Sequence, residues 1–116
     1  MWRPSEMLLE IGEADGANLI NALIKAFQSD TATRFQLLYD AVARLDPAMV
    51  KREAHSIRGS ASQMGADALA TSCQFIEDYA AEPNWDQLED KVRLAAALFT
   101  EANLAMSEYL HVHADR

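Results

Sequence analysis

Residues Trp85 to Tyr109, WDQLEDKVRLAAALFTEANLAMSEY, carry Trp85, Leu88, Val92, Ala95, Phe99, Ala102, Met106 and Tyr109 at alternating spacings of three and four. That is the repeat of one face of an α-helix, kept over the whole segment. The same spacing recurs upstream in Phe35, Leu38, Val42 and Leu45, in Val50, Ala54, Ile57, Ala61 and Met64, and in Leu69, Cys73, Ile76 and Ala80. Four amphipathic helices with short connections predict an all-α fold, an antiparallel up-down four-helix bundle.

Punctuation residues set the expected boundaries. Asp30, Asp46 and Asn84 read as N-caps, Pro47 and Trp85 occupy first helical positions, and Gln87 would complete a capping box with Asn84. Gly12, Gly16 and Gly65 fall between periodic segments, where a helix end can use positive φ. Helices are thus predicted at 5–11, 15–28, 30–45, 47–64, 66–81 and 85–111. The chain 1–116 is expected to be one domain with its bundle core at 30–111. Residues 1–28, with Ile20, Leu23, Ile24 and Phe27, would form short N-terminal flanking helices.

Composition narrows the function. Twenty-one alanines, and prolines only at positions 4, 47 and 83, favour helix, and 116 residues suffice for a core without staples. The single cysteine, Cys73, allows no disulfide within the chain and suits a reducing cytoplasm. The run Met7-Leu8-Leu9 is broken by Glu10, and the longest apolar stretch, Leu94 to Phe99, is far below a membrane span. A net charge of -8 repels nucleic acid and anionic membrane alike, which leaves another protein as the expected partner. A cytoplasmic monomer is expected, and a start at Met1 without a linker favours a free-standing protein.

The helix at 47–64 carries the residues that invite chemistry. With its apolar stripe at 0°, His55 projects at about 140°, Lys51 at about 100°, Arg52 at about 200°, Arg58 at about 80°, Gly59 at about 180° and Ser62 at about 120°. His55 therefore points to solvent among cations, while Glu53, at about 300°, points elsewhere. Cations oppose a second positive charge on the ring, so a neutral imidazole with a free lone pair is expected near neutral pH. Arg58, three residues on, could donate charge-assisted hydrogen bonds to a phosphoryl group on His55. Glycine inside a helix costs about 1 kcal/mol relative to alanine. Gly59, one turn beyond His55 on the outward face, reads as clearance for another protein surface or a bulky phosphoryl donor.

The run Ala54-His55-Ser56-Ile57-Arg58-Gly59-Ser60-Ala61, followed by Gly65, Leu69, Cys73 and Ile76-Glu77, resembles the histidine phosphotransfer (HPt) family. The pattern is A-H-x-aliphatic-Lys/Arg-G-S-Ser/Ala, then a glycine, a leucine, often a cysteine and an aliphatic-Glu pair. The resemblance implies that His55 takes a phosphoryl group from the aspartyl phosphate of one receiver domain and passes it to the aspartate of another. A hybrid histidine kinase would stand upstream and response-regulator receiver domains would be the partners. It also implies that Arg58 steadies the phosphoryl oxygens and Gly59 gives the receiver access; Lys51, Arg52 and Ser62, which the helix projection places around them, are further candidates for phosphoryl or partner contacts. No cofactor is expected: Mg²⁺ would sit in the receiver, since no cluster of acids is expected to converge on His55. No Gly-rich nucleotide loop is present, so autonomous kinase activity is not expected.

Two rivals differ in class. A dinuclear metal bundle needs two Glu-x-x-His pairs and two more inward glutamates, whereas the chain has only Glu108 to His111; the tail His111-x-His113 reads as solvated. An HPt-like interaction module without phosphotransfer would have no use for His55, a basic residue and Gly59 together.

Overall fold

The computed structural model describes Trp2, Pro4, Leu9, Glu10 and residues 17–112. Four helices follow one another: α1 (Ala17–Ala43), α2 (Pro47–Met64), α3 (Asp67–Tyr79) and α4 (Trp85–Val112). Each packs on its chain neighbour and α1 closes on α4, which is the up-down bundle predicted from the stripes. The core is continuous from Ile20, Ile24 and Phe27 through Leu38, Val50, Ile57, Leu69, Ile76, Leu88 and Val92 to Met106. Among the described residues, no helix is long and apolar enough to cross a membrane.

The helix that carries His55 has firmly fixed ends. Asp46, at φ -106° and ψ 94°, accepts the Met49 N–H at 3.1 Å, and Pro47 needs no intrahelical donor at N1. At the other end Gly65 takes φ 78°, its N–H reaching Ser62 O at 3.1 Å while Ala66 N–H reaches Ala61 O at 2.8 Å. This is a Schellman-type stop, and its left-handed residue favours glycine. Trp2 adds a distant tie: its Nε1–H donates to Met64 O at 2.7 Å, and its ring meets Tyr109 edge-on at 5.9 Å. Asn84 caps α4 as predicted, Oδ1 accepting from Gln87 N–H at 3.2 Å.

The structure corrects the predicted break at Asp30. Helix α1 runs through it, because the buried series Ile20, Ile24, Phe27, Thr31, Phe35 and Leu38 keeps helical spacing and no Gly or Pro intervenes. Asp30 instead accepts from Arg34 Nε at 3.2 Å, an i,i+4 pair inside the helix. Residues 17–28 are therefore the first half of a bundle helix, and the core begins at Ile20 instead of at residue 30. Of the predicted helix 5–11, Leu9 and Glu10 are helical and the rest lies outside the described residues, as do Gly12 and Gly16. A second correction concerns Leu45, assigned to the apolar stripe. It is 59% exposed at φ 55°, in the left-handed turn that lets Asp46 N–H reach Ala41 O at 2.9 Å.

Candidate functional site

His55 lies at mid-length of α2, on the flank turned towards α3, with its side chain 62% exposed. Its Nδ1 is 2.7 Å from Oε1 of Glu77, which comes from α3 and is largely covered. The second oxygen, Oε2, accepts from Arg58 Nε at 3.0 Å. One carboxylate thus joins the histidine and the arginine across the helix-helix seam.

The charge state of Glu77 decides the tautomer of His55. Burial pushes the Glu77 carboxyl up, but the bonds from His55 and Arg58 outweigh it and hold it below the ordinary carboxylate value. An ionised carboxylate only accepts, so Nδ1 carries the proton and donates to Oε1. Arg58 Nη2, 3.0 Å from Nδ1, then faces another N–H and makes no bond with it. Nε2 keeps its lone pair, on a side chain that is 62% exposed. A carboxylate on the far nitrogen also stabilises any positive charge the ring gains when Nε2 attacks, the logic of a carboxylate-histidine pair.

This corrects the expectation that only cations surround His55 and that no acid approaches it. The helical wheel compares residues of one helix, whereas Glu77 is 22 positions away on the next. The signal was present as the acidic member of the Ile76-Glu77 pair, but without the helix pairing its role could not be assigned. Arg58, expected to point at a phosphoryl group, is bound to Glu77 instead.

The remaining expected residues gather on the same side of α2. Gly59 is exposed, and a Cβ built there meets nothing within 4 Å, so no neighbouring helix requires the glycine. Lys51, Arg52 and Ser62 are all exposed. Lys51 and Arg52 have no acidic partner among the described residues, whereas Arg34, Arg44, Arg58 and Arg93 each hold a carboxylate and Lys91 lies over Tyr79 at 4.4 Å. Cys73 is buried below the site, its thiol pushed up to about 12 by burial and then by Glu77, which suits an inert core residue. Glu108 and His111 are exposed on α4, and among the described residues no group of three or more His, Cys, Asp or Glu could hold a metal ion.

A helical bundle with one exposed, carboxylate-backed histidine defines a class that the comparisons name. The sequence profile of the Hpt domain family matches residues 22–109, and the chain belongs to that family. It is a histidine-containing phosphotransfer protein of two-component phosphorelays, an intermediate that works with response-regulator receiver domains. The bundle is similar to that of histidine-containing phosphotransfer protein B from Pseudomonas aeruginosa PAO1, whose crystal structure matches with a TM-score of 0.85 at 21% identity over 95% of this chain and 96% of that one. That likeness shows the shared fold. No curated protein sequence matches the chain.

Proposed function

We propose that His55 is the phosphorylated residue and that the reaction takes place at Nε2. The observation that supports this is the Glu77 carboxylate on Nδ1 at 2.7 Å, which leaves Nε2 as the unprotonated nitrogen. The Nε2 lone pair forms the bond to phosphorus while the bond from phosphorus to the receiver's aspartyl oxygen breaks, and the carboxylate leaves with the electron pair. No proton moves, and the ring becomes a phosphoimidazolium whose positive charge faces Glu77. Attack by the aspartate of a second receiver reverses these steps, so one site both accepts and donates. Positioning carries most of the catalysis, because both phosphorylated species are reactive.

Gly59 leaves the surface low beside the ring so that a receiver can bring its aspartate in line, with Ser62 and Arg52 at the edges of that docking area. Mg²⁺ belongs to the receiver's acidic pocket, and this chain supplies nucleophile and docking surface without a cofactor or kinase activity of its own. A hybrid histidine kinase feeds the relay, and the protein works as a cytoplasmic monomer whose His55 face stays open.

Incubation with a phosphorylated receiver tests the assignment. Label on the wild type that is acid-labile, alkali-stable and lost in His55→Gln supports it. Label that persists in His55→Gln, or none on the wild type, refutes it.

A further inference from the structure

We infer that the seam between α3 and α4 is a second docking surface, built for a basic amphipathic helix of another protein and separate from the His55 face. This does not depend on which residue carries the phosphoryl group.

An apolar strip is the first reason. Helix α3 turns Glu77 towards α2, whereas Phe75 and Tyr79 face α4, where the Lys91 ammonium lies 5.9 and 4.4 Å from their ring centroids. From Lys91 the same flank of α4 continues through Leu94 to Leu98, which lies opposite Ala68 and Leu69 at the start of α3. Phe75 is 54% exposed and Leu94 57%, so the strip is open along its middle. Scattered exposed apolar residues are ordinary, but adjoining large ones with a polar rim mark an interaction site.

The strip ends in a cavity of about 280 Å³ between the first turn of α3 and α4, with Trp2, Leu69, Leu98 and Glu101 among its walls. A side chain seated there would anchor a partner, and such buried anchors carry most of an interface's energy. From Lys91 to Glu101 the surface runs for about 15 Å, the length of roughly three helical turns.

Charge selects the occupant. Asp78 stands one turn from Phe75, Asp90 one turn from Leu94, Glu101 one turn from Leu98, and Asp67 lies at the cavity. All four are exposed and none holds an ion pair among the described residues. The cation of the strip, Lys91, lies on the aromatic rings. An apolar floor with unpaired acids on both sides fits a helix that carries apolar residues along one face and Lys or Arg on its flanks. A second copy of this chain would set these carboxylates against their own kind, and the net charge of -8 repels anionic lipid. A partner held here leaves His55 open on the opposite flank of α3.

The test titrates the nitrogen-15-labelled full chain with a synthetic helical peptide of about four turns, with leucines at i, i+3, i+4 and i+7 and lysines on both flanks. Amide shifts should centre on Phe75, Tyr79, Leu94 and Leu98. Leu94→Gln and Phe75→Gln should each weaken binding about tenfold, and Asp90→Lys/Glu101→Lys about fivefold with a smaller salt dependence. Leu104→Gln, about three turns away on α4, should bind as wild type does. The inference is overturned by absence of binding, by equal binding of a scrambled peptide of the same composition, or by shifts centred on His55 and Gly59. Unchanged affinity in Leu94→Gln or Phe75→Gln also overturns it, as does a doubled mass of the chain alone in sedimentation that Leu94→Gln abolishes, which would make a second copy the occupant.

Discussion

Helix α2 is joined to its two neighbours by a matched pair of Arg–Glu contacts, each spanning 19 residues: Arg34 with Glu53 towards α1, and Arg58 with Glu77 towards α3. In the first, Glu53 is 6% exposed and gives both oxygens to Arg34 Nη1, at 3.1 and 3.4 Å. Among the described residues nothing else uses that carboxylate, so the contact is a structural joint that keeps α1 and α2 in register. In the second, the carboxylate divides itself, one oxygen to Arg58 and one to His55. The same two residue types thus give a fixed joint on one flank of α2 and, on the other, a carboxylate shared with the exposed His55. What differs is a third group within reach and an open surface beyond it.

The comparison can be broken by substitution, and the largest effect is expected on the open flank. Gly59→Leu should lower transfer from a receiver on the order of tenfold or more by blocking close approach, while leaving the bundle folded. Unchanged transfer rates would show that the cleared surface is not used. Gly59→Ala should raise stability by about 1 kcal/mol, since the added Cβ enters open space. A lower melting temperature in that variant would mean the glycine serves the helix itself.

Next in size is the contrast between the joints. Arg34→Met strands a buried carboxylate and should cost about 2 to 3 kcal/mol in chemical denaturation. Arg58→Met, whose Glu77 keeps His55 as a partner, should cost about 1 kcal/mol or less. Equal losses would erase the distinction between joint and shared carboxylate.

A smaller effect separates the two through pH. Glu77 titrates lower in the folded protein than in the unfolded chain, so its contribution is fully present above the ordinary carboxylate value of about 4.3. It is lost as pH falls through the depressed folded value. Wild type should therefore exceed Glu77→Gln in stability near neutrality, and the gap should close in acid. A gap that stays constant to low pH would contradict the ionised bridge.

Much of this was legible in the sequence because it is local. The stripes, Leu45 excepted, and the caps at Asp46, Asn84 and Gly65 depend on residues within a few positions of each other, and they appear where expected. His55 and Gly59 could be placed on the outer face because a helix fixes the angle between its own residues. The failures share the opposite cause. Asp30 looked like a cap because its side chain can cap, but the apolar register through Phe27, Thr31 and Phe35 decided the helix. Leu45 fitted the stripe by spacing, yet the turn before Asp46 required a left-handed residue there. Glu77 on His55, Glu53 on Arg34 and Trp2 on Met64 are contacts between distant parts of the chain, which periodicity alone does not pair.

The smallest expected effect follows from that turn. Leu45→Gly should stabilise by up to about 1 kcal/mol through relief of the left-handed conformation and leave phosphotransfer unchanged. A destabilised variant would mean the exposed leucine makes contacts that outweigh its strain.

The most direct measurement is the position of the phosphoryl group on the ring. With histidine labelled in nitrogen-15, the phosphorylated protein should show phosphorus coupled to Nε2 of His55 and a proton retained on Nδ1. Phosphorus on Nδ1, or on any residue other than His55, would contradict a site in which Glu77 holds one nitrogen so that the other can react.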